Sequence, residues 1–166
     1  EVVANLLGEF MAAASLLSAT LKFEGTLTLQ ARSDGQIPLI MAEATSDHKL
    51  RAIAKQAEQA TSTDFHTLLT NGRLCIIIDP DNGQRYQGIV SLDGNSLAEC
   101  LEAYFRQSEQ LSTRIWLSSN QQQATGFMLQ ELPASESIKP ELRLQQWEHL
   151  THLANTLTEE ELITLD

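Results

Sequence analysis

Apolar positions crowd the start of the chain. From Val2 to about Leu21 they take up more than one helical face: Leu6, Leu7, Phe10, Met11, Leu16, Leu17 and Leu21, with Ala12, Ala13 and Ala14 filling the gaps. A helix that is apolar nearly all round must be covered nearly all round. The pattern therefore predicts a central core helix with other layers on both sides, closed by Gly25. The run is about as long as a membrane span. Asn5, Gly8, Glu9, Ser15, Ser18 and Thr20 interrupt it, and Lys22 follows, so a buried helix is the reading.

The period then changes from helical to two. Thr26 to Ala31 alternates, with Leu27, Leu29 and Ala31 on one face. Ile37 to Glu43 and Lys49 to Lys55 read as further strands, separated by turns at Asp34-Gly35 and Ser46-Asp47. Pro38 marks either an edge or a strand beginning. Gln56 to Thr63 reads as loop, and Asp64 to Leu69 as a turn or two of helix. Arg73 to Asp79 is the strongest strand. It runs into Asp79-Pro80-Asp81-Asn82-Gly83, a hairpin loop by composition, and the chain returns from Gln84 to Leu92.

Ser96 and Glu99 have the spacing of a capping box. After them Leu97, Cys100, Leu101, Tyr104, Phe105 and Leu111 form one helical stripe. Thr113 to Ser119 and Thr125 to Leu132 form a second predicted hairpin. Pro133 to Pro140 reads as a linker. Beyond it lies an amphipathic helix from Glu141 to Leu157, then a short one capped by Thr158 and Glu161. Strands and helices do not alternate regularly, which disfavours a doubly wound parallel sheet. The predicted fold class is α+β: two mostly antiparallel groups of strands, a long buried central helix covered by sheets or helices, and a helical C-terminal tail.

The chain has 166 residues and 42% hydrophobic residues, enough for one domain with a real core. Its formal net charge is -11, with 22 acidic against 11 basic residues. That balance repels phosphate backbones and argues against a nucleic-acid partner. The absence of a signal-like start points to the cytoplasm and away from a membrane partner. Two cysteines, Cys75 and Cys100, are too few and too distant for a disulfide scaffold, and each sits in an apolar run that suggests a buried free thiol.

Candidate chemistry is sparse. His149 and His152 have a metal-ligand spacing on a helix but no nearby cysteine or third histidine, so they read as surface residues. Cys75 in mid-strand does not suit a Cys–His pair with His48 or His66. There is no G-x-S-x-G elbow, Walker loop or dinucleotide fingerprint. The expectation is a protein that is not an enzyme, with no cofactor in this chain.

Several blocks in order resemble the bacterial heat-shock protein 33 (33 kDa chaperonin) family: Leu16 to Gly25, Arg85 to Val90, Leu97 to Glu102, Tyr104-Phe105, Gln107 to Leu111, Gly126 to Gln130 and Leu132-Pro133. Ser112 stands where the family usually has proline, Ala52 where it has glycine, and Gln84 where an acidic residue is common. The resemblance implies a chaperone core over 1–133, N-terminally truncated, as a layered β/α/β core with the long central helix between β-layers, then a helical linker segment over 134–166. It implies an ATP-independent holdase that binds unfolded client proteins under oxidative stress and is active as a homodimer. The family's switch is a C-terminal domain whose CxC and CxxC motifs hold zinc when reduced and form disulfides when oxidised. Neither motif occurs here, so that domain is expected to be absent and Cys75 and Cys100 are not its zinc ligands.

Two mechanistic expectations follow. Either the tail covers a client-binding patch of the sheet, through Leu142, Trp147, Leu150 and Leu153, or the core is a dimerisation scaffold and the linker binds clients. An unrelated small-molecule-binding α+β domain is the alternative class; a deep pocket with converging polar groups would support it.

Overall fold

A computed structural model describes residues 2–22, 24–120, 122–132 and 140–164. The apolar first segment forms helix α1, Val2–Ala19. Three strands follow, β1 (Gly25–Arg32), β2 (Leu39–Thr45) and β3 (Leu50–Ala54), then a short helix α2 (Phe65–Leu68). Strands β4 (Arg73–Pro80) and β5 (Tyr86–Ser91) complete an antiparallel sheet of five strands in the order β3-β2-β1-β4-β5. Helix α3 (Leu97–Tyr104) leads to a separate hairpin, β6 (Thr113–Ser119) and β7 (Ala124–Gln130). Two helices end the described chain, α4 (Pro140–Ala154) and α5 (Glu159–Thr164).

Helix α1 lies between the two sheets, packed on β1, β2 and β3 on one side and on β6 and β7 on the other. Its all-round apolar character thus has the cover it requires: Phe10, Ala13 and Ala14 are at most 1% exposed. Gly8 lets the helix approach the hairpin, since a β-carbon there would collide with the Ser119 side chain. The alternating residues of the five-stranded sheet seal the other side. Leu27, Leu29 and Ala31 of β1, Ile40 and Ala42 of β2, and Leu74 and Ile76 of β4 are all buried. The hydrophobic pattern predicts cover on both sides of α1, and both layers are β-structure, the β/α/β layering that the family resemblance implies.

Local chemistry sets the boundaries. Pro38 sits just ahead of β2, which pairs on both sides, so the proline begins an interior strand and does not mark an edge. The Ser96 box is only half formed. The Glu99 amide donates to Ser96 Oγ at 3.2 Å, but the Glu99 carboxylate accepts from the Asn95 amide at 2.8 Å and leaves the Ser96 amide aside. The box before α5 is complete: the Glu161 amide donates to Thr158 Oγ1, and the Thr158 amide donates to Glu161 Oε2. The expected long third helix stops at Tyr104 and widens into a π-turn over Phe105–Glu109, closed by Gln110 in the left-handed region. Gly88 makes room for this end of the helix, because a β-carbon there would lie 2.7 Å from the Tyr104 ring. The Tyr104 hydroxyl meets that of Tyr86 at 2.5 Å and tethers the π-turn to the edge strand β5.

Candidate functional site

The buried polar groups serve structure. The Glu102 carboxylate accepts from the Ile115 amide at 2.8 Å and from Arg114 Nη1 at 3.2 Å, fastening α3 to β6. Burial holds its proton affinity above the ordinary carboxylate range. Among the described residues no buried side-chain nitrogen or oxygen lacks a hydrogen-bond partner. The Cys100 thiol is buried on α3, and burial pushes its pKa up, the condition of an unreactive core thiol.

Cys75 departs from the sequence expectation of burial. Strand alternation turns it away from Leu74 and Ile76, onto the outer face of the five-stranded sheet, where it is only half-buried. There its sulfur accepts from Gln87 Nε2 at 2.9 Å. His149 and His152 are exposed on α4. Among the described residues no group of three or more His, Cys, Asp or Glu side chains could hold a metal ion. With its two cysteines in different layers, the described chain does not fit a zinc centre. A depression of about 780 Å³ between β5, α3 and β6 is open and mostly polar, with Glu99, Glu102 and Arg106 on its wall. It lacks the apolar enclosure of a small-molecule pocket.

Among the described residues, exposed apolar side chains gather most densely in two places. The first is the outer face of the five-stranded sheet. Strand register aligns Ile53, Met41, Gln30, Cys75 and Ile89 in one row across all five strands. Ile53 is 47% and Ile89 64% exposed, and Met41 and Cys75 are half-buried. Ile77 of β4 adds to the patch one row away.

The second is helix α4. Leu142, Leu150 and Leu153 share one side and are each about half exposed, as is Leu144. Of the four tail residues singled out in the sequence, only Trp147 is brought against the core. It lines a cleft of about 370 Å³ with Arg106, Leu111 and Arg114, beside α3 and the start of β6. The tail is anchored further along. Leu162 of α5 is buried against the β6–β7 hairpin, and Gln123 Nε2 donates to the Ile163 carbonyl at 3.2 Å. The tail therefore meets the molecule on the hairpin side, away from the outer face of the five-stranded sheet.

The family model described as Hsp33 protein matches residues 1–166. The chain belongs to the Hsp33 family. Curated relatives named 33 kDa chaperonin are 53% identical in Pseudomonas aeruginosa strain PAO1 and 54% identical in Ectopseudomonas mendocina, each aligned over all of this chain and 57% of the relative. The chain thus spans a little over half the length of these relatives. A crystal structure of the 33 kDa chaperonin from Thermotoga maritima superimposes with a TM-score of 0.76 over 99% of this chain and 59% of that one. Its sequence is 19% identical, so this likeness supports the Hsp33 fold and does not transfer residue roles.

The outer-face patch could not be read from the sequence because its members come from five strands and meet only through register. The one available signal was the unbroken run Leu74 to Ile78: whatever covers its inner face, half of such a run points outward.

Proposed function

We propose that this chain is the client-binding core of an ATP-independent holdase chaperone, which captures unfolding proteins on exposed apolar surface and prevents their aggregation. The observation that carries this reading is the row of uncovered apolar side chains on the outer sheet face, in a member of a family whose relatives are named chaperonins. Exposed apolar side chains gathered on one face of a domain are a feature of interaction sites. The net charge of -11 opposes self-association of such a surface through repulsion between copies.

The redox switch belongs to the same proposal. Regulation would reside in a zinc-binding domain outside the described residues, whose oxidation frees the core to act; homodimerisation and a cytoplasmic location complete the reading. No described helix is long and apolar enough to cross a membrane. In domain terms, 1–133 is the core and 134–166 the linker segment. The family boundary at 133 falls within residues 133–139, which lie outside the described residues.

The half-exposed leucines of α4 favour a second reading, in which clients bind the linker helix and the core is a scaffold for dimerisation. One assay separates the readings: suppression of thermal aggregation of a model client by the chain, without ATP, with and without peroxide. The core reading expects equal protection in both conditions. A folded chain that protects in neither contradicts it. Protection that appears only with peroxide, and is lost in Cys75→Ala, would instead place a redox-sensitive step within this chain.

A further inference from the structure

A second row lies beside the apolar one on the outer face, two residues along each strand, at a spacing of about 7 Å. Register places Leu39, Arg32, Arg73 and Ser91 side by side, and the Lys55 amide donates to the Leu39 carbonyl at 2.8 Å, extending the row to the β3 edge. Three cations thus stand in one line across the sheet of a chain whose net charge is -11. Arg32 and Arg73 are direct cross-strand partners and both are exposed. Like charges placed opposite each other across an antiparallel pair are destabilising.

Among the described residues neither arginine nor Lys55 is in an ion pair. By contrast Arg51, on the far side of the apolar row, is neutralised by Glu43 at 2.7 Å. Between the arginines and the apolar row lies a depression of about 370 Å³, walled by Arg32, Arg73, Cys75, Gln87 and Ile89. Its one carboxylate, Asp34, accepts from Asn71 Nδ2 at 3.3 Å.

The chain's own acidic segment does not neutralise this row, since Glu159, Glu160 and Glu161 open α5 on the hairpin side of the molecule. A cationic row parallel to an apolar row, both running across the strands for about 19 Å, matches a ligand with the complementary two-sided pattern. We infer that the outer sheet face selects acidic amphipathic segments of unfolded polypeptides: apolar side chains lie along Ile53, Met41 and Ile89, and flanking carboxylates meet Arg32, Arg73 and Lys55. This inference rests on the reading of the outer face as the client surface and adds to it a preference among clients.

The test uses two fluorescein-labelled peptides with the same apolar stripe, one flanked by glutamates and the other by glutamines. Binding is followed by anisotropy for the wild-type chain, Arg32→Gln/Arg73→Gln and Ile53→Ser/Ile89→Ser. At low salt the glutamate peptide should bind about five- to tenfold more tightly than the glutamine peptide, as expected of a few exposed ion pairs. That ratio should collapse in 0.5 M salt and in the double arginine variant, while the isoleucine variant weakens both peptides. Equal binding of the two peptides to the wild type overturns the acidic preference and leaves the client surface standing. Binding of neither peptide overturns the preference too, and if the wild type also fails to suppress client aggregation, the client reading falls with it. If Arg32→Gln/Arg73→Gln changes the sedimentation of the chain alone, a second copy occupies this face and the inference is wrong.

Discussion

The two faces of the five-stranded sheet are built from the same strands and have opposite fates. On the inner face Leu29, Ala31, Ile40, Ala42 and Leu74 are fully buried. On the outer face Ile53 and Ile89 stand about half exposed or more, with no helix among the described residues laid over them. The inner face is apolar nearly throughout and covered, whereas the outer face carries a few apolar residues among polar ones, and these are uncovered. The inner face contributes stability through burial and packing. The outer face gains far less from its isoleucines on folding, and it is there that the proposed client surface lies.

The largest effect should come from opening the inner face. Leu29→Ala leaves a cavity under α1 and should cost about 2–5 kcal/mol, read as a lower urea midpoint. Phe10→Ala, on the helix that seals the same face, should cost about 3–5 kcal/mol. If either variant unfolds like the wild type, the layered core described here is wrong.

A pH-dependent effect comes next. Glu9 of α1 is half-buried, and burial together with the nearby Glu159 raises its pKa from 4.5 to about 7. The folded state holds this proton more tightly than the unfolded chain. The contribution is thus fully present below about pH 4.5 and is lost as the pH rises through about 7. Relative to wild type, Glu9→Gln should gain on the order of 1–2 kcal/mol between pH 5 and pH 8. A constant difference across that range would remove Glu9 from the account.

Smaller again is the cap of α3. Ser96→Ala removes the acceptor for the Glu99 amide and should cost about 1 kcal/mol in denaturant unfolding. Smallest is the outer face itself. Ile89→Ser should change stability by less than about 0.5 kcal/mol, as exposed substitutions do. A loss as large as that of Leu29→Ala would mean that the face is covered, and the contrast between the two faces would fail.

Much of the inner architecture was legible beforehand because its signals are local. The all-round apolar α1 demanded two layers, and the alternation of β1 named the residues that share the core face. The Thr158 and Glu161 box predicted the start of α5 from two residues. The π-turn after Tyr104 was not legible, because the apolar stripe continues through Phe105 to Leu111 while the Tyr104 hydroxyl meets Tyr86, a partner from another strand. Cys75 was misplaced because an unbroken apolar run does not say which of its residues face the covered side. The outer rows needed the pairing of five strands, which no single segment encodes.

The most direct test of the central claim is client protection by Ile53→Ser/Ile89→Ser in the absence of ATP, measured as light scattering of a heat-denatured client, with the urea midpoint as control. The account predicts protection clearly below wild type at an unchanged midpoint, while Leu142→Ser/Leu150→Ser/Leu153→Ser in α4 retains it. Full protection by the outer-face variant, with loss in the α4 variant, would contradict the account and move the client site to the linker helix.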